Sequence, residues 1–548
     1  MRIPPLYNLV ALLIFLGAAA AQDNRSAGAG RLQATPNYRI FPSEVSQTEV
    51  FVVRHPLQPG TLLATANTVN FTNFFVSEGT YLSGDNGDTW TGSDTLYGEP
   101  IVFHGGDPGI AIDKDGTFIL SRLGRFPIPG LYAHYSTDNG ATWSGQVAIT
   151  QNEIERAAVA SDVFPGSPFY GRTYAVYVRF ESPFAVWISW TDDGGATWST
   201  ARRINSPSQR SSGADIAIRS DGTLHVSWAG VTASSPFTEV LGGAARSSDG
   251  GQSWTVSETA FSMNGIQGVL STKSNIRVNG LPRIDIDNSG GPRDGWLYVV
   301  TTEINQAPAG SDPDVVLRRS TDGGTTWSAG IRVNRDALSN GAIQYFPAPH
   351  VDEGGGLNVL FYDDRNTSSD STGVMLARST DGGDTWVEVE ISDHNFRPVP
   401  IGGLGQGYQG DNIDLASSQG RLIPLWMDNS SGEYQIWTAP VEIRAVAIGG
   451  GDPTRPEGFF LGRNYPNPFN PETTVEFGVG NAEWVTLTVY DMLGRAVRTL
   501  VDGPMAAGRH VSRWDGRDDA GRSAVSGVYL YRLVAGSFVE TRKMLLAR

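Results

Sequence analysis

The 548-residue sequence predicts an all-β protein of repeated units followed by a second, smaller β domain. An eight-residue phrase ending in tryptophan recurs six times, and the tryptophans lie 53, 55, 56, 73 and 59 residues apart. A period of this size indicates stacked supersecondary units. The 66 glycines and 31 prolines, without long helical periodicity, are typical of turn-rich β architecture. Beyond residue 458 the acidic character of the chain is lost, which indicates a separate domain.

The N-terminus has the pattern of a secretory signal peptide over residues 1–21. Arg2 provides a positive charge, residues 9–16 form an apolar run, and residues 19–21 are three alanines suited to cleavage. The apolar run is too short to span a bilayer, and no later segment is long enough. We therefore expect an exported protein that is not integral to a membrane, with residues 22–34 as an N-terminal linker.

Each repeated phrase is predicted to form the corner of a β-hairpin. Its third residue is aspartate, whose side chain can accept backbone N–H groups two residues on, and its fifth is glycine, which tolerates a positive φ. The closing tryptophan provides a large apolar plug. The aspartate and tryptophan pairs are Asp85 and Trp90, Asp138 and Trp143, Asp193 and Trp198, Asp249 and Trp254, Asp322 and Trp327, and Asp381 and Trp386. Because six equivalent acids cannot form one active site, we interpret them as turn braces.

These phrases resemble the Asp box, or bacterial neuraminidase repeat, of sialidase-like β-propellers. The resemblance implies a propeller over residues 35–443, with the Asp boxes away from the active face. A seventh repeat is truncated: it offers three strands, within 412–415, 421–426 and 434–438, and no Asp box. We predict that residues 38–41 supply its fourth strand, because propellers close by joining the two ends of the chain. This gives seven blades, with six as the alternative.

Residues 444–458 form a predicted Gly/Pro linker, and residues 459–548 a small β-sandwich with alternating strand patterns. This tail resembles the type A sorting domain of the type IX secretion system, an immunoglobulin-like module. The matching segments are Asn464–Pro471, Val489–Gly494, Trp514–Gly516, Ser526–Tyr531 and Thr541–Leu546. The resemblance implies recognition by an outer-membrane export machine, then release or surface attachment. The alternative is a stabilising sandwich, as in flagellar-hook-cap-like modules.

Composition excludes several functions. A net charge of −16 disfavours binding to nucleic acid or anionic membranes. The absence of cysteine removes disulfides, thiolate metal sites and cysteine nucleophiles, and no pair of the seven histidines has metal-ligand spacing. We expect a monomer without a cofactor, although acidic loops leave Ca²⁺ binding open.

The family resemblance implies what a true sialidase needs: three arginines that clamp the substrate carboxylate, a tyrosine nucleophile activated by glutamate, and an aspartate acid/base. The first arginine normally follows an aromatic residue and precedes Ile-Pro. Residues 38–42, Tyr-Arg-Ile-Phe-Pro, come close with one insertion, which makes Arg39 a candidate. If residues 38–41 form an outer strand, however, Arg39 lies far from the central funnel. The clamp motif is therefore degraded.

One polar residue stands at the opening of each predicted inner strand, where propellers bind ligands. These weak catalytic candidates are Glu49, Asp107, Arg156, Asp215, Arg283, His350 and Asp411. Their alternative role is to satisfy backbone groups around the channel. Our first hypothesis is a glycoside hydrolase of the sialidase superfamily acting on extracellular glycans or glycoproteins. The second is a non-catalytic propeller that binds glycans or proteins. A pair of carboxylates converging at the funnel would favour the first.

Overall fold

The computed structural model describes residues 32–70, 75–96, 104–402, 405, 407–443, 459–465, 467, 469–536 and 538–547. The chain divides into two compact units, with the boundary between residues 446 and 447. The predicted signal peptide and the linker over residues 444–458 lie outside the described residues. All regular structure in the described ranges is β-strand, so these ranges contain no apolar helix of membrane-spanning length.

Six four-stranded antiparallel sheets follow one another along the first unit, each with its strands paired in chain order. The first contains Ser46–Arg54, Leu62–Asn70, Phe75–Ser83 and Thr91–Ser93, and the second His104–Ile112, Phe118–Gly124, Gly130–Ser136 and Val147–Thr150. The third contains Ala158–Ser161, Thr173–Val178, Val186–Thr191 and Arg202–Arg203, and the fourth Arg210–Ile218, Leu224–Val231, Glu239–Ser247 and Thr255–Ser262. The fifth contains Arg283–Ile286, Leu297–Glu303, Asp314–Ser320 and Ile331–Arg332, and the sixth Gln344–Val351, Leu357–Asp363, Gly373–Ser379 and Val387–Glu390. The first strand of each sheet is its inner strand.

The seventh sheet combines both ends of the unit. Its strands Asp414–Ser418, Arg421–Asp428 and Gln435–Thr438 are followed in the sheet by Tyr38–Arg39, which pairs antiparallel with the last of them. Two further strands, Val441–Ile443 and Leu32–Ala34, pair with each other and extend the sheet beyond its second strand. The last three residues of the predicted N-terminal linker, Leu32–Ala34, thus form a strand, and the side chains of Leu32 and Ala34 pack against the core of the sixth and seventh sheets.

Consecutive sheets share hydrophobic cores, because central strands such as Thr173–Val178 and Leu297–Glu303 are buried on both faces. Between the first and second sheets, Leu63 packs with Ile110 and Phe118. The same kind of core joins the first sheet to the seventh, where Val50 and Leu62 belong to one cluster with Ile423, Leu425 and Ile436. Both faces of a sheet thus bury large apolar areas, and each Å² of apolar area removed from water stabilises the fold by roughly 25 cal/mol.

The second unit is a small β-sandwich. One sheet contains Phe460–Tyr465, Thr473–Val479 and Gly508–Trp514, and the other Ala496–Met505, Glu483–Asp491, Gly527–Ala535 and Phe538–Leu546. Alternate residues of the facing strands form its core, including Val475 and Phe477 from one sheet and Val485, Leu487 and Leu533 from the other. The period-2 pattern of the sequence predicted this arrangement.

The six Asp boxes share one hydrogen-bond pattern. In the second, the Asp138 carboxylate accepts hydrogen bonds from the Thr142 amide at 2.9 Å, the Thr142 hydroxyl at 2.6 Å and the Ser136 hydroxyl at 2.7 Å. These hydrogen bonds lower the pKa of Asp138 to about 2, and the bond from the Thr142 hydroxyl has the largest effect. The fourth residue of each box has a positive φ as well as the fifth, which explains why only asparagine or glycine occupies it.

We predict that Asp381→Ala lowers the free energy of unfolding by about 1–2 kcal/mol at pH 7, because hydrogen bonds to an ionised group are lost. Burial raises the pKa of Asp381, but the bonds from Thr385 lower it more, so the net shift is downward. Because the pKa of Asp381 is lower in the folded protein than the value of 3.8 in the unfolded chain, its ionised carboxylate stabilises the fold above pH 3.8. This stabilisation is lost as the pH falls through the folded-state pKa. The deficit of the variant, measured by chemical denaturation, should therefore shrink below pH 4.

The matched control is Asp384→Ala in the same box. The Asp384 carboxylate is exposed and contacts only the Arg319 guanidinium among the described residues, at 2.7 Å. An exposed ion pair contributes about 0–1 kcal/mol, so the control should be near wild type at every pH. Equal losses in the two variants would contradict the bracing role of Asp381.

Candidate functional site

Four inner strands carry the same irregularity at the end where the chain enters them. Pairing with the second strand shifts between Thr48 and Phe51, and at the corresponding places in the second, fourth and sixth sheets. Each bulge contains a residue with a positive φ: Glu49 at 54°, Asp107 at 54° (next to Gly106 at 82°), Gly213 at 63° and Phe346 at 52°. A glutamate or phenylalanine rarely tolerates this conformation, and bulges next to functional sites redirect side chains.

Three of these residues, Glu49, Asp107 and Phe346, line a cavity of about 310 Å³ at the openings of the inner strands, called the first cavity here. Five sequence candidates line it: Glu49, Asp107, Arg156, Arg283 and Asp411. Glu155, Phe180, Ser212, Arg277, Phe346 and Asn412 also line it. The lining therefore contains several carboxylates and several guanidinium groups that are contributed by separate sheets.

The acids of the first cavity influence one another. Burial first, and then the negative charge of Asp411, raise the pKa of Asp107 to about 6, and the positive charges of Arg156 and Arg277 oppose this shift. Burial, followed by the charges of Asp107 and Asp411, raises the pKa of Glu49 well above its ordinary value. Glu49 and Asp107 therefore hold a proton at a higher pH than exposed carboxyl groups do, as acids in many active sites do.

Arg277 reaches the first cavity from a hairpin inserted between the fourth and fifth sheets. The hairpin pairs Gly268–Leu270 with Ile276–Val278, and Arg277 forms an ion pair with Asp411. Its tip is anchored by the fully buried Lys273, whose Nζ donates to Asp364 Oδ2 at 2.8 Å and to the Ser371 carbonyl at 2.8 Å. A buried charge held by a carboxylate and carbonyl groups gives the hairpin a fixed position.

Arg156 and Arg283 form the boundary to a second cavity, of about 540 Å³, which they also line. Their guanidinium groups both donate to Asn412 Oδ1, at 2.5 Å from Arg156 and 3.4 Å from Arg283. Both groups also lie over the Phe51 ring, 5.9 and 5.4 Å from its centre. These contacts hold two positive charges in the middle of the inner-strand channel.

The candidates Asp215 and His350 line the second cavity rather than the first. Asp215 accepts the backbone N–H of Ile284 on the next inner strand at 3.1 Å. Asp285 accepts that of Val351 at 2.7 Å, and His350 Nδ1 lies 3.5 Å from the same carboxylate. Asp215 therefore has the alternative role given to the candidates, which is to satisfy backbone groups around the channel. Asp285 has the same role and was missed by the sequence analysis.

His350 Nε2 lies 2.9 Å from Ser417 Oγ, so serine, histidine and aspartate form a chain in the second cavity. The Asp285 carboxylate is already engaged by the N–H groups of Ile286 and Val351. Asp414 accepts the N–H of Val52 at 3.1 Å in the same way, between the seventh and first sheets. The chain thus belongs to a repeated bracing of one inner strand by the next.

Arg39 lies outside both cavities. It belongs to the outermost strand of the seventh sheet, paired with Trp437, and its guanidinium lies 5.9 Å from the centre of the Trp437 ring. We therefore leave Arg39 out of the candidate site.

No group of three or more histidine, aspartate or glutamate side chains suited to a metal ion occurs in the described part of the chain. The Asp-box carboxylates already accept hydrogen bonds within their own turns, as Asp138 does. The acids of the first cavity are instead associated with arginines, as the ion pair between Asp411 and Arg277 illustrates.

Sequence reasoning missed Arg277, Glu155 and Asn412. A signal for Arg277 was present: the interval from Trp254 to Trp327 is 73 residues, against 53 to 59 elsewhere. The extra residues include the inserted hairpin, and an insertion on one repeat of a propeller often lies at the binding face. Glu155 and Asn412 carried no comparable signal, because they lie in irregular segments before inner strands.

Comparison with known proteins agrees with this division of the chain. A family model described as BNR repeat-like domain matches residues 47–259, and one described as FlgD Ig-like domain matches residues 468–537. No curated protein matches the chain.

Three similar solved structures show the range of relatives. A protein of unknown function from Dyadobacter fermentans is 14% identical, with 75% of this chain and 99% of that chain covered and a TM-score of 0.44. The Penicillium chrysogenum α-L-arabinanase complexed with arabinobiose is 16% identical, with 63% and 98% covered and a TM-score of 0.39. The leech intramolecular trans-sialidase is 13% identical, with 65% and 70% covered and a TM-score of 0.40. Likenesses at this level carry no argument about chemistry.

Proposed function

We propose that the first cavity binds extracellular glycans and hydrolyses a glycosidic bond. The observation that carries this proposal is the convergence on one cavity of Glu49 and Asp107, from two different sheets, and Asp411, from the segment that precedes the first strand of the seventh sheet. Glycoside hydrolysis requires one carboxyl group that donates a proton and a second that assists the attack. A lone acid would have supported binding only.

In this proposal Asp107 is the general acid. Its pKa of about 6 leaves part of the population protonated near neutral pH, which suits proton donation to a leaving oxygen. As the glycosidic C–O bond breaks, the Asp107 proton passes to that oxygen. Water then attacks the anomeric carbon and gives its proton to Asp411. Arg156 and Arg283 orient the sugar by hydrogen bonds.

A second function, glycan binding without turnover, is favoured by one contact. The ion pair of Arg277 with Asp411 occupies the carboxylate that would have to accept the proton of the attacking water. In that case the first cavity is a recognition site on an exported surface protein, and its arginines and carboxylates serve only as hydrogen-bonding groups.

We further propose that the seven sheets are the blades of one closed propeller. Two observations support this: Tyr38–Arg39 completes the seventh sheet, and a hydrophobic cluster joins the seventh sheet to the first. The bracing bond from the Val52 amide to Asp414 crosses the same junction.

For the second unit we propose a role as a type IX sorting domain that follows export through a signal peptide over residues 1–21. The segments named in the sequence analysis support this, and the immunoglobulin-like fold is compatible with it. The exported protein would then be released or attached to the cell surface through residues 459–548.

Turnover is tested by incubating the purified protein with a panel of neutral and acidic polysaccharides and measuring new reducing ends. We expect Asp107→Asn to reduce kcat by about 10²–10⁴-fold, the range of general acid catalysis. The activity of the wild type should fall as pH rises above about 6, because Asp107 loses its proton. Glu353→Gln, at an exposed carboxylate beside Arg54, is the control and should retain activity. Binding without product release would support the second function.

Ring closure predicts that removal of residues 1–41 exposes the edge of the Gln435–Thr438 strand. The truncated protein should self-associate and unfold at a lower temperature, since unpaired sheet edges promote association. A variant lacking only residues 1–31 keeps both N-terminal strands and is the control. Size-exclusion chromatography with light scattering measures the outcome; a monomeric, equally stable 1–41 deletion would contradict closure.

The sorting role predicts that deletion of residues 447–548 retains the protein in the periplasm of a bacterium with a type IX system. The intact protein should reach the medium or the outer surface of the same strain. Cell fractionation and immunoblotting measure the distribution, and the intact protein in a strain lacking the export machine is the control. Equal export of the two forms would contradict the proposal.

A further inference from the structure

An aromatic cage surrounds Arg210 beside the first cavity. The Arg210 guanidinium lies 5.4 Å from the centre of the Phe180 ring, 4.6 Å from that of Phe184 and 4.8 Å from that of Phe237. A guanidinium at these distances interacts favourably with each ring and keeps its N–H groups available at the edges. Phe180 and Phe237 remain 44% and 37% exposed, so the cage faces solvent.

Two loops with the same local sequence build this cage. Phe184 and Phe237 each follow Ser-Pro, and each adopts a positive φ, of 57° and 61°. The loops connect the second and third strands of the third and fourth sheets. A bulky residue in this conformation is strained, and strain of this kind persists where it positions a side chain. Both strained backbones direct a ring to the same guanidinium.

The Arg210 charge has no acidic partner among the described residues, where no carboxylate lies within ion-pair distance of its guanidinium. Most other arginines of the third to sixth sheets have such a partner, for example Arg172 with Asp192 and Arg318 with Glu303. Holding a cation over aromatic rings without a counter-ion leaves its charge available to a bound anion.

The cage is continuous with the first cavity. Phe180 lines that cavity, and so does Ser212, two residues after Arg210 on the same strand. Arg156 lies in the cavity with Asn412 as its hydrogen-bond partner and no carboxylate within ion-pair distance among the described residues. Two guanidinium groups without acidic partners therefore belong to one surface, one inside the cavity and one at its rim.

We propose that the Arg210 cage is a subsite for an acidic sugar residue of a glycan chain whose neighbouring residue occupies the first cavity. The carboxylate or sulfate of the sugar accepts hydrogen bonds from Arg210, and the exposed Phe180 and Phe237 rings contact the apolar face of the sugar ring. This inference rests on the proposed function, because it assigns the substrate class to the same site: an anionic polysaccharide.

The test is affinity electrophoresis of the whole protein in native gels that contain polygalacturonate or polysialic acid, each beside its carboxyl-reduced form, or chondroitin sulfate beside a reduced form that has also been desulfated. We expect at least one anionic polymer to retard the wild type more than its reduced form does. Arg210→Gln should weaken that binding about tenfold or more, as expected for loss of a charged hydrogen bond. Arg203→Gln makes the same charge change on an exposed outer strand and should bind like the wild type.

Phe180→Ala and Phe237→Ala should weaken binding of the same polymer, and circular dichroism should show that all variants are folded. Retardation by no anionic polymer, equal retardation by the reduced forms, or equal binding of Arg210→Gln and Arg203→Gln would each overturn the inference. Turnover of a neutral glycan that is insensitive to Arg210→Gln would overturn it and leave the hydrolase proposal standing. Binding that depends on Arg210 without turnover would overturn the hydrolase proposal and leave this inference standing.

Discussion

The first cavity depends on a backbone irregularity that four inner strands share. A regular strand would direct alternate side chains into the spaces between sheets, where the cores are apolar and a carboxylate is costly. In three of these strands the residue with the positive φ lines the cavity with its own side chain: Glu49, Asp107 and Phe346. In the fourth sheet the same position is Gly213, where a β-carbon would lie 2.8 Å from the Leu281 side chain. The bulge therefore brings ionisable groups and close packing to the same end of the strands.

Charge is distributed unevenly in this protein. The chain carries a net charge of −16, yet Arg156, Arg277 and Arg283 line the first cavity together with its acids. The acids there repel one another, and the guanidinium groups offset part of this repulsion, since Arg156 and Arg277 oppose the rise in the pKa of Asp107. This balance makes the cavity suitable for a polar ligand rather than an apolar one, and it lets a few guanidinium groups attract an anion despite the acidic surface.

The repeated phrase predicted much of the architecture because its turn chemistry is local. Asp138 and Gly140 show it: their hydrogen bonds and φ values follow from residue type alone. The truncated seventh repeat likewise predicted the pairing of Tyr38–Arg39 with the last sheet. The candidate site was less predictable. The sequence analysis placed Glu49, Asp107 and Asp215 alike at the openings of inner strands. Asp215 nevertheless accepts a hydrogen bond from a backbone N–H group of the next sheet, and the sequence of its own strand does not show that partner.

The seventh sheet also constrains how this protein acquires its structure. Tyr38 pairs with Thr438, so one of the first strands to leave the ribosome has its partner only when almost the whole unit has been synthesised. Contacts of such separation slow folding because the long intervening chain must be ordered first. Until then the N-terminal segment is a strand without its partner. Any other exposed sheet edge could pair with it in the meantime, so the two ends of this unit are where mispairing between chains would begin.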